Sequence, residues 1–405
     1  MTFLLAPLRL FTRVFRKFGR CIFPSPEEKF KRFQERILPK TLREHDAILA
    51  KASKTRAFKN REDLSIEHKD FHQNIIQSFL NKHASSTLRI LIHVPSMLHS
   101  PGGYSLFSNL MAGLNHIGIA VASWNTESGV PLSSVWESFE PTVFLTSDHE
   151  SYLAAIDWDL IETLRKNRSV RIGLTASLEE YGNTPLQERL AWAKKNNIDF
   201  YYSFRAPEYV RQRYGEFFKA GFKIHSVEFG ANPLIYYPID APQKEFDYIF
   251  LASSNPEKQR RYLEFLPEIV ENYFGFIDGP GWQHVGKNWA HRETHRQLYS
   301  LAKVGINLHI DDSLNWASEL NERTYILAAC GIPQLIDNPK LLADRFDLRG
   351  FFIGDHPKKY LEEFKWILGN PDAAAERTRI AFYEVMSKHT NFHRAESLVR
   401  DLGQS

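Results

Sequence analysis

The sequence predicts an α/β protein: two doubly wound domains with parallel sheets face one cleft, behind a helical N-terminal extension. Three observations predict this. From Leu88 to Leu368, short apolar runs alternate with helix-length amphipathic stretches. Gly and Pro punctuate nearly every junction between them. The 405 residues exceed one ordinary core, and a 43% apolar share can fill two.

Residues 1–23 carry Leu4, Leu8, Phe11, Phe15 and Phe18 on one helical face and Arg9, Arg13, Arg16 and Arg20 on another. No run reaches the roughly 18 apolar residues of a transmembrane helix, and no secretory cleavage pattern follows. Such a basic amphipathic helix reads as an in-plane membrane anchor; a helix docked on the body and a transit peptide stay open. Setting aside its five basic residues leaves 46 basic against 48 acidic residues, which gives no nucleic-acid signal. Two distant cysteines, Cys21 and Cys330, form no disulfide framework and fit a reducing compartment. Pro24 and Pro26 close the first helix, and residues 24–84 read as a charged helical extension with sparse apolar positions.

The first α/β domain is expected over 85–238. Its strands are Leu88–Val94, Ile119–Trp124, Thr142–Thr146, Val170–Thr175, Asp199–Phe204 and Lys223–Phe229. Helices are expected at Tyr104–Ile117, Asp157–Lys166, Pro185–Asn196 and Pro207–Ala220. Gly102 and Gly103 are read as a loop before the first of these, where backbone amides can approach a phosphate or sugar. The three-glycine dinucleotide fingerprint is absent. Gly230–Pro238 is a turn-rich crossing to the second domain, 239–390, with a last helix in 391–405. That domain opens with Phe246–Ala252, then Ser253 and Ser254, and a helix carrying Lys258, Arg260 and Arg261. Phe274–Asp278 follows, then Gly279-Pro280-Gly281-Trp282.

Ser318–Asp337 is the central unit. Ser318 is the expected N-cap, with Glu319 and Glu322 in the first turn, where the helix dipole favours negative charge. Tyr325, Ile326 and Ala329 form an apolar stripe. Gly331 stops the helix and Pro333 prevents its restart. With Val304–Ile310 before it and Gln334–Ile336 after it, this is a βαβ crossover. It sets the helix N-terminus at the carboxyl edge of the sheet, a place suited to an anion.

These segments resemble the C-terminal half of the "glycosyl transferases group 1" families, which have the GT-B fold of two Rossmann-like domains. The nearest is the spore-maturation-protein-like branch. The matching segments are Ala252-Ser253-Ser254, Gly279-Pro280-Gly281-Trp282, Asn307-Leu308-His309, Asn321-Glu322-Arg323-Thr324-Tyr325, Ala328-Ala329-Cys330-Gly331 and Phe392-His393-Arg394. They cover about residues 246–395.

The resemblance implies a metal-independent glycosyltransferase with no cofactor and a nucleotide sugar as co-substrate. It would act on a glycan or lipid-linked acceptor in cell-envelope polysaccharide synthesis, in the cytoplasm and peripheral on the inner membrane face. A metal-free site neutralises the leaving diphosphate with amides, hydroxyls and cations. Ser253, Ser254, Lys258, Gly281, His309, Glu319, Glu322, Arg323 and Thr324 are the expected donor contacts, with Trp282 near the base and Gly102 and Gly103 facing them. The families often carry a ribose-binding glutamate where this chain has Ile326. Asp311 and Glu319 have the spacing of the paired acids of retaining families. Asp148, His149 and His99 are the candidate bases from the first domain. A sugar-nucleotide epimerase of the same fold and an inactive membrane-bound scaffold are the alternatives.

Overall fold

The computed structural model describes residues 24–41, 45–54, 63–96, 100–167, 169–176, 184–240, 243–285 and 289–403. The membrane-anchor segment, Cys21 and His99 lie outside the described residues.

All the expected strands form, to within a few residues at their ends. The first sheet holds β1 (Arg89–His93), β2 (Ala120–Trp124), β3 (Val143–Ser147), β4 (Arg171–Thr175), β5 (Phe200–Ser203) and β6 (Ile224–Ser226). Its order is β2-β1-β3-β4-β5-β6 and every pairing is parallel. The second holds β7 (Phe246–Leu251), β8 (Gly275–Asp278), β9 (Ala302–Asn307), β10 (Gln334–Ile336) and β11 (Phe352–Ile353), in the order β11-β10-β9-β7-β8, also parallel.

The continuous apolar runs follow from burial on both faces. Ile90, Ile92, Val143 and Leu145 point into one core, and Leu91, Phe144, Ile172 and Leu174 into the core behind it. The second sheet does the same: Ile249 and Ile336 face one side, Phe250, Val304, Ile306 and Leu335 the other.

The helices that position the site are α1 (Pro26–Thr41), α2 (His45–Lys54), α3 (Lys69–Phe79), α4 (Pro101–His116), α5 (Pro207–Arg213), α6 (Pro256–Phe265), α7 (Glu322–Ala329), α8 (Pro371–Lys388) and α9 (Asn391–Gly403). Three differ from expectation. α4 begins at Pro101, because Ser100 is its N-cap and its side chain accepts from the Gly103 amide at 3.3 Å. Gly102 and Gly103 are therefore helical. α7 begins at Glu322, capped by Asn321, whose side chain accepts from the Thr324 amide at 3.1 Å. Ser318 is fully buried, and its carbonyl instead accepts from the Ala206 amide at 2.7 Å. The predicted Pro207–Ala220 helix breaks at Tyr214 into α5 and Gly215–Lys219. Gly331 ends α7 in the left-handed region (φ +64°), as expected.

The N-terminal extension is part of the body. Phe30 of α1 packs on Trp282, and the Gln34 side chain accepts from the Gln283 amide at 2.7 Å. Leu49 and Ala52 of α2 join the core of the second sheet. From α3, Phe71 packs on Tyr383 of α8, while Ile76 and Phe79 reach the core of the first sheet. The chain crosses between the sheets twice, side by side: the Ala231 amide donates to His389 O (3.0 Å) and the Asn391 amide to Ala231 O (2.7 Å). The second crossing delivers α9 to the first sheet, where Phe392, Leu398 and Leu402 fill its core.

Candidate functional site

The carboxyl edge of β7 and β8 supplies most of the polar groups. After β7 the chain turns through Ser253 and Ser254 into α6. Ser253 Oγ accepts from Lys258 Nζ at 3.0 Å, and the Ser253 carbonyl accepts from the Tyr262 hydroxyl at 2.9 Å. The Ser254 amide donates to Pro280 O at 2.9 Å, while its hydroxyl is buried with no hydrogen-bond partner. This tight apposition is why residues 279 and 281 are glycine. Both have positive φ (+135° and +87°), and an added Cβ would lie 2.4 Å from Ala252 O at Gly279 and 2.7 Å from Ser254 Oγ at Gly281.

Arg323 extends from the first turn of α7 across this edge. Its Nε donates to Leu251 O (2.9 Å), its Nη1 donates to Asn307 Oδ1 (3.2 Å), and its guanidinium lies over Phe250. Lys258 stands beside it. Burial, helped by the Arg323 charge, pushes the Lys258 ammonium down to about 8. Two cations are thus held close at one sheet edge, an arrangement that an anion between them would relieve.

The opposite wall comes from the first lobe. Ser105 Oγ (3.0 Å) and Asn109 Nδ2 (2.6 Å) of α4 donate to the Glu322 carboxylate. Burial pushes that carboxyl up, against the pull of these hydrogen bonds and of Arg292 and Arg323. Arg205, just after β5, forms an ion pair with Glu319. Arg292 lies over Tyr104 and donates to Asn109 Oδ1 at 3.1 Å. Between the lobes lies a cavity of about 430 Å³. Gly102, Ser105, Arg205, Ser253, Lys258, Gly279, Glu319, Glu322 and Arg323 line it. Its inner wall is apolar, formed by Tyr236, Trp289, Ala290, Tyr299 and Ile326 with His295, whose imidazole burial pushes down to about 4.

Several expected site residues do structural work elsewhere. Trp282 is 1% exposed, stacks on Tyr262 and donates to Ala252 O at 2.7 Å, so it is core and not a base platform. His309 and Thr324 belong to a buried network under α7. His309 Nδ1 bonds Asp337 Oδ1 (2.7 Å), the His309 amide donates to Asp337 Oδ2 (2.8 Å), and His309 Nε2 meets Thr324 Oγ1 (3.2 Å). Burial works to raise the Asp337 carboxyl, but His309 and Arg261 more than offset it and hold it below its ordinary value.

The three basic residues of α6 therefore have three fates: Lys258 faces the cavity, Arg260 pairs with Asp311 on the surface, and Arg261 pairs with buried Asp337. Asp311 and Glu319 each have their own arginine. Gly103 is packed against Ser100, Tyr152 and Pro95 and leaves the cavity to Gly102.

Asp148 and His149 do not reach the cavity. Asp148 is buried 3.7 Å from Arg189, and His149 caps the helix Glu150–Leu153 by accepting from the Ser151 amide. Among the described residues, the first lobe brings no carboxylate or imidazole to the cavity wall. Sequence reading missed Ser105, Asn109, Arg205, Trp289, Arg292 and Asp278. The first five lie outside any motif. Asp278 closes β8 and is bonded to His45 Nε2 of α2 (2.8 Å) and to the Ala290 amide (2.7 Å). Among the described residues no three His, Cys, Asp or Glu side chains gather as a metal site, and no helix is long and apolar enough to cross a membrane.

Residues 258–400 match a family described as glycosyl transferase-like. Two solved structures are similar over 78% of this chain. One is T4 phage β-glucosyltransferase in complex with UDP and Mn²⁺, at 10% identity, with 99% of that chain covered and a TM-score of 0.50. The other is HepE of Anabaena in complex with UDP and glucose, at 12% identity, with 100% of that chain covered and a TM-score of 0.50. No curated protein matches. The fold is the GT-B fold of glycosyltransferases: two parallel doubly wound sheets face one cleft, and the last helix returns to the first lobe.

Proposed function

We propose that the protein is a glycosyltransferase that takes a sugar from a nucleotide-sugar donor. One observation carries this reading. Lys258 and Arg323 converge on one carboxyl edge beside Ser253, facing the Gly102 end of α4 across the cavity. Two fixed cations suit a diphosphate whose charge grows as the glycosidic bond breaks. Arg323 and Lys258 hold the phosphates, and the apolar inner wall with Trp289 takes the nucleoside. The UDP bound in the two similar structures is the kind of ligand this chemistry fits.

In the finer reading, the transfer needs no resident metal, the acceptor is a glycan or lipid-linked saccharide of the cell envelope, and residues 1–23 hold the enzyme at the cytoplasmic membrane face. The branch nearest the chain is then the spore-maturation-protein-like one. Saturation-transfer NMR with UDP-, GDP-, dTDP- and CMP-sugars tests the core claim. At least one donor is expected to bind and to release its nucleoside diphosphate or monophosphate with sugar transfer in EDTA; no binding by any donor sinks the reading.

Ile326 favours one second reading. It faces the cavity where the related families often hold the ribose through a carboxylate, and the neighbouring Glu322 is engaged by Ser105 and Asn109. A chain that keeps the binding fold but not turnover is then a nucleotide-sugar-binding scaffold. Donor binding with no product from any acceptor extract would favour it.

A further inference from the structure

We propose that a second interlobe cavity, framed by Trp316 and α5, is a carbohydrate subsite that holds the sugar acceptor. The acceptor role rests on the glycosyltransferase reading; the carbohydrate subsite does not. The cavity measures about 420 Å³ and is lined by Tyr209, Gln212 and Arg213 of α5 and by Asp312 and Trp316 of the second lobe. None of these residues lines the donor cavity.

Trp316 is 53% exposed. A large aromatic face left in water beside a concavity asks for an occupant. The ring is also held on a rigid mount. The Trp316 amide donates to Asp312 O (2.8 Å), and the Ser318 amide donates to Trp316 O (2.7 Å). The Ala206 amide then donates to Ser318 O at 2.7 Å, with Ser318 and Ala206 both fully buried. Together with the Arg205–Glu319 ion pair, these bonds fix the Trp316 backbone relative to α5, so little backbone ordering cost remains for a ligand.

The lining selects the ligand class. An indole face matches the C–H face of a pyranose ring, and amide, guanidinium, phenol and carboxylate side chains match its hydroxyl rim. Asp312 opposes a phosphate, and five lining residues are far fewer than the roughly 20–30 a side of a standard protein interface. The position fits an acceptor. Arg205 and Glu319 line the donor cavity, while residues one to two helical turns after Arg205 and a few positions before Glu319 build this one. The Arg205–Glu319 pair thus lies a few residues of chain from the second cavity on either side.

The test uses the full chain labelled with 5-fluorotryptophan, the Trp316 ¹⁹F signal being assigned by its loss in Trp316→Phe. Maltotriose, cellotriose, chitotriose and mannotriose are titrated to about 10 mM, above the millimolar range of one weak subsite. At least one is expected to shift the Trp316 signal, with or without UDP. Trp316→Ala is expected to raise the KM for the transferring acceptor by roughly tenfold or more. Its UDP affinity, by calorimetry, should stay within about twofold of the parent. A Trp316 signal silent to all four sugars overturns the inference, and so does a signal that moves with UDP alone, which makes the cavity a nucleotide site. Failure of the parent protein to bind any nucleotide sugar breaks the functional reading instead; a sugar-induced shift at Trp316 would then still stand as a binding site.

Discussion

The two sheets present the same feature, a carboxyl edge with charged and polar residues, and use it in opposite ways. At the first edge the groups satisfy one another. His93 bonds Thr146 Oγ1 at 3.0 Å between Trp124 and Tyr152, and burial pushes its imidazole down to about 4. Asp148 is closed off by Arg189. At the second edge the β9–β10 half behaves likewise, through His309, Asp337 and Arg261. The β7–β8 half instead holds two cations side by side against the cleft. A sheet edge becomes a binding site where its polar groups are held apart from mutual neutralisation, not merely where they occur.

The largest expected effect breaks the closed edge. Asp148→Ala removes the buried carboxylate that faces Arg189 and should cost about 3–5 kcal/mol in urea unfolding. The double variant Asp148→Leu/Arg189→Leu should recover most of that loss. Neither should alter nucleotide affinity in the folded protein; a matching loss of affinity would move Asp148 into the site and end the contrast.

At the open edge the effect should invert. Lys258→Met is expected to weaken nucleoside diphosphate binding by about 2 kcal/mol, roughly thirtyfold, by calorimetry. Its urea midpoint should hold or rise, since a partly buried, poorly compensated ammonium is removed.

A pH series sharpens this. Lys258 titrates near 8 when folded, against 10.5 ordinarily. Between those values the unfolded chain binds more protons, so the Lys258 contribution to stability rises with pH across about 8 to 10.5 and is least favourable below 8. Diphosphate affinity runs the other way: full below 8, and falling as pH rises through 8 and the ammonium is lost. The fall should be absent in Lys258→Met.

The smallest effect is expected at Arg260→Ala. Its surface pair with Asp311 should be worth less than about 0.5 kcal/mol, with nucleotide affinity unchanged. A large loss of affinity there would redraw the open edge around Arg260.

Much of the fold was legible because parallel strands buried on both faces read as apolar runs, and Gly or Pro closes each one. Leu88–Val94 and Gln334–Ile336 are examples. The cap of α7 was misread because Ser318 and Asn321 both suit an N-cap; the choice fell to Ser318's contact with Ala206, over a hundred residues away. Glu319 thereby left the first turn and met Arg205. Of the expected site residues, Ser253, Lys258 and Arg323 line the cavity, and they could be picked out because strand end and helix start are local in sequence. Arg205, Arg292 and Ser105 could not, because they line one cavity only when the lobes meet.

The sequence alone determined the two parallel α/β layers and the residue types gathered at the rear sheet's edge, since periodicity and turn chemistry act over a few residues. Tertiary structure alone decided which polar groups neutralise one another. It sent Arg261 to Asp337, Trp282 beneath Tyr262, and Lys258 to the cleft from one short helix. Whether a charge is spent or left available depends on which partner lies within about 3–4 Å, and that neighbour comes from distant parts of the chain.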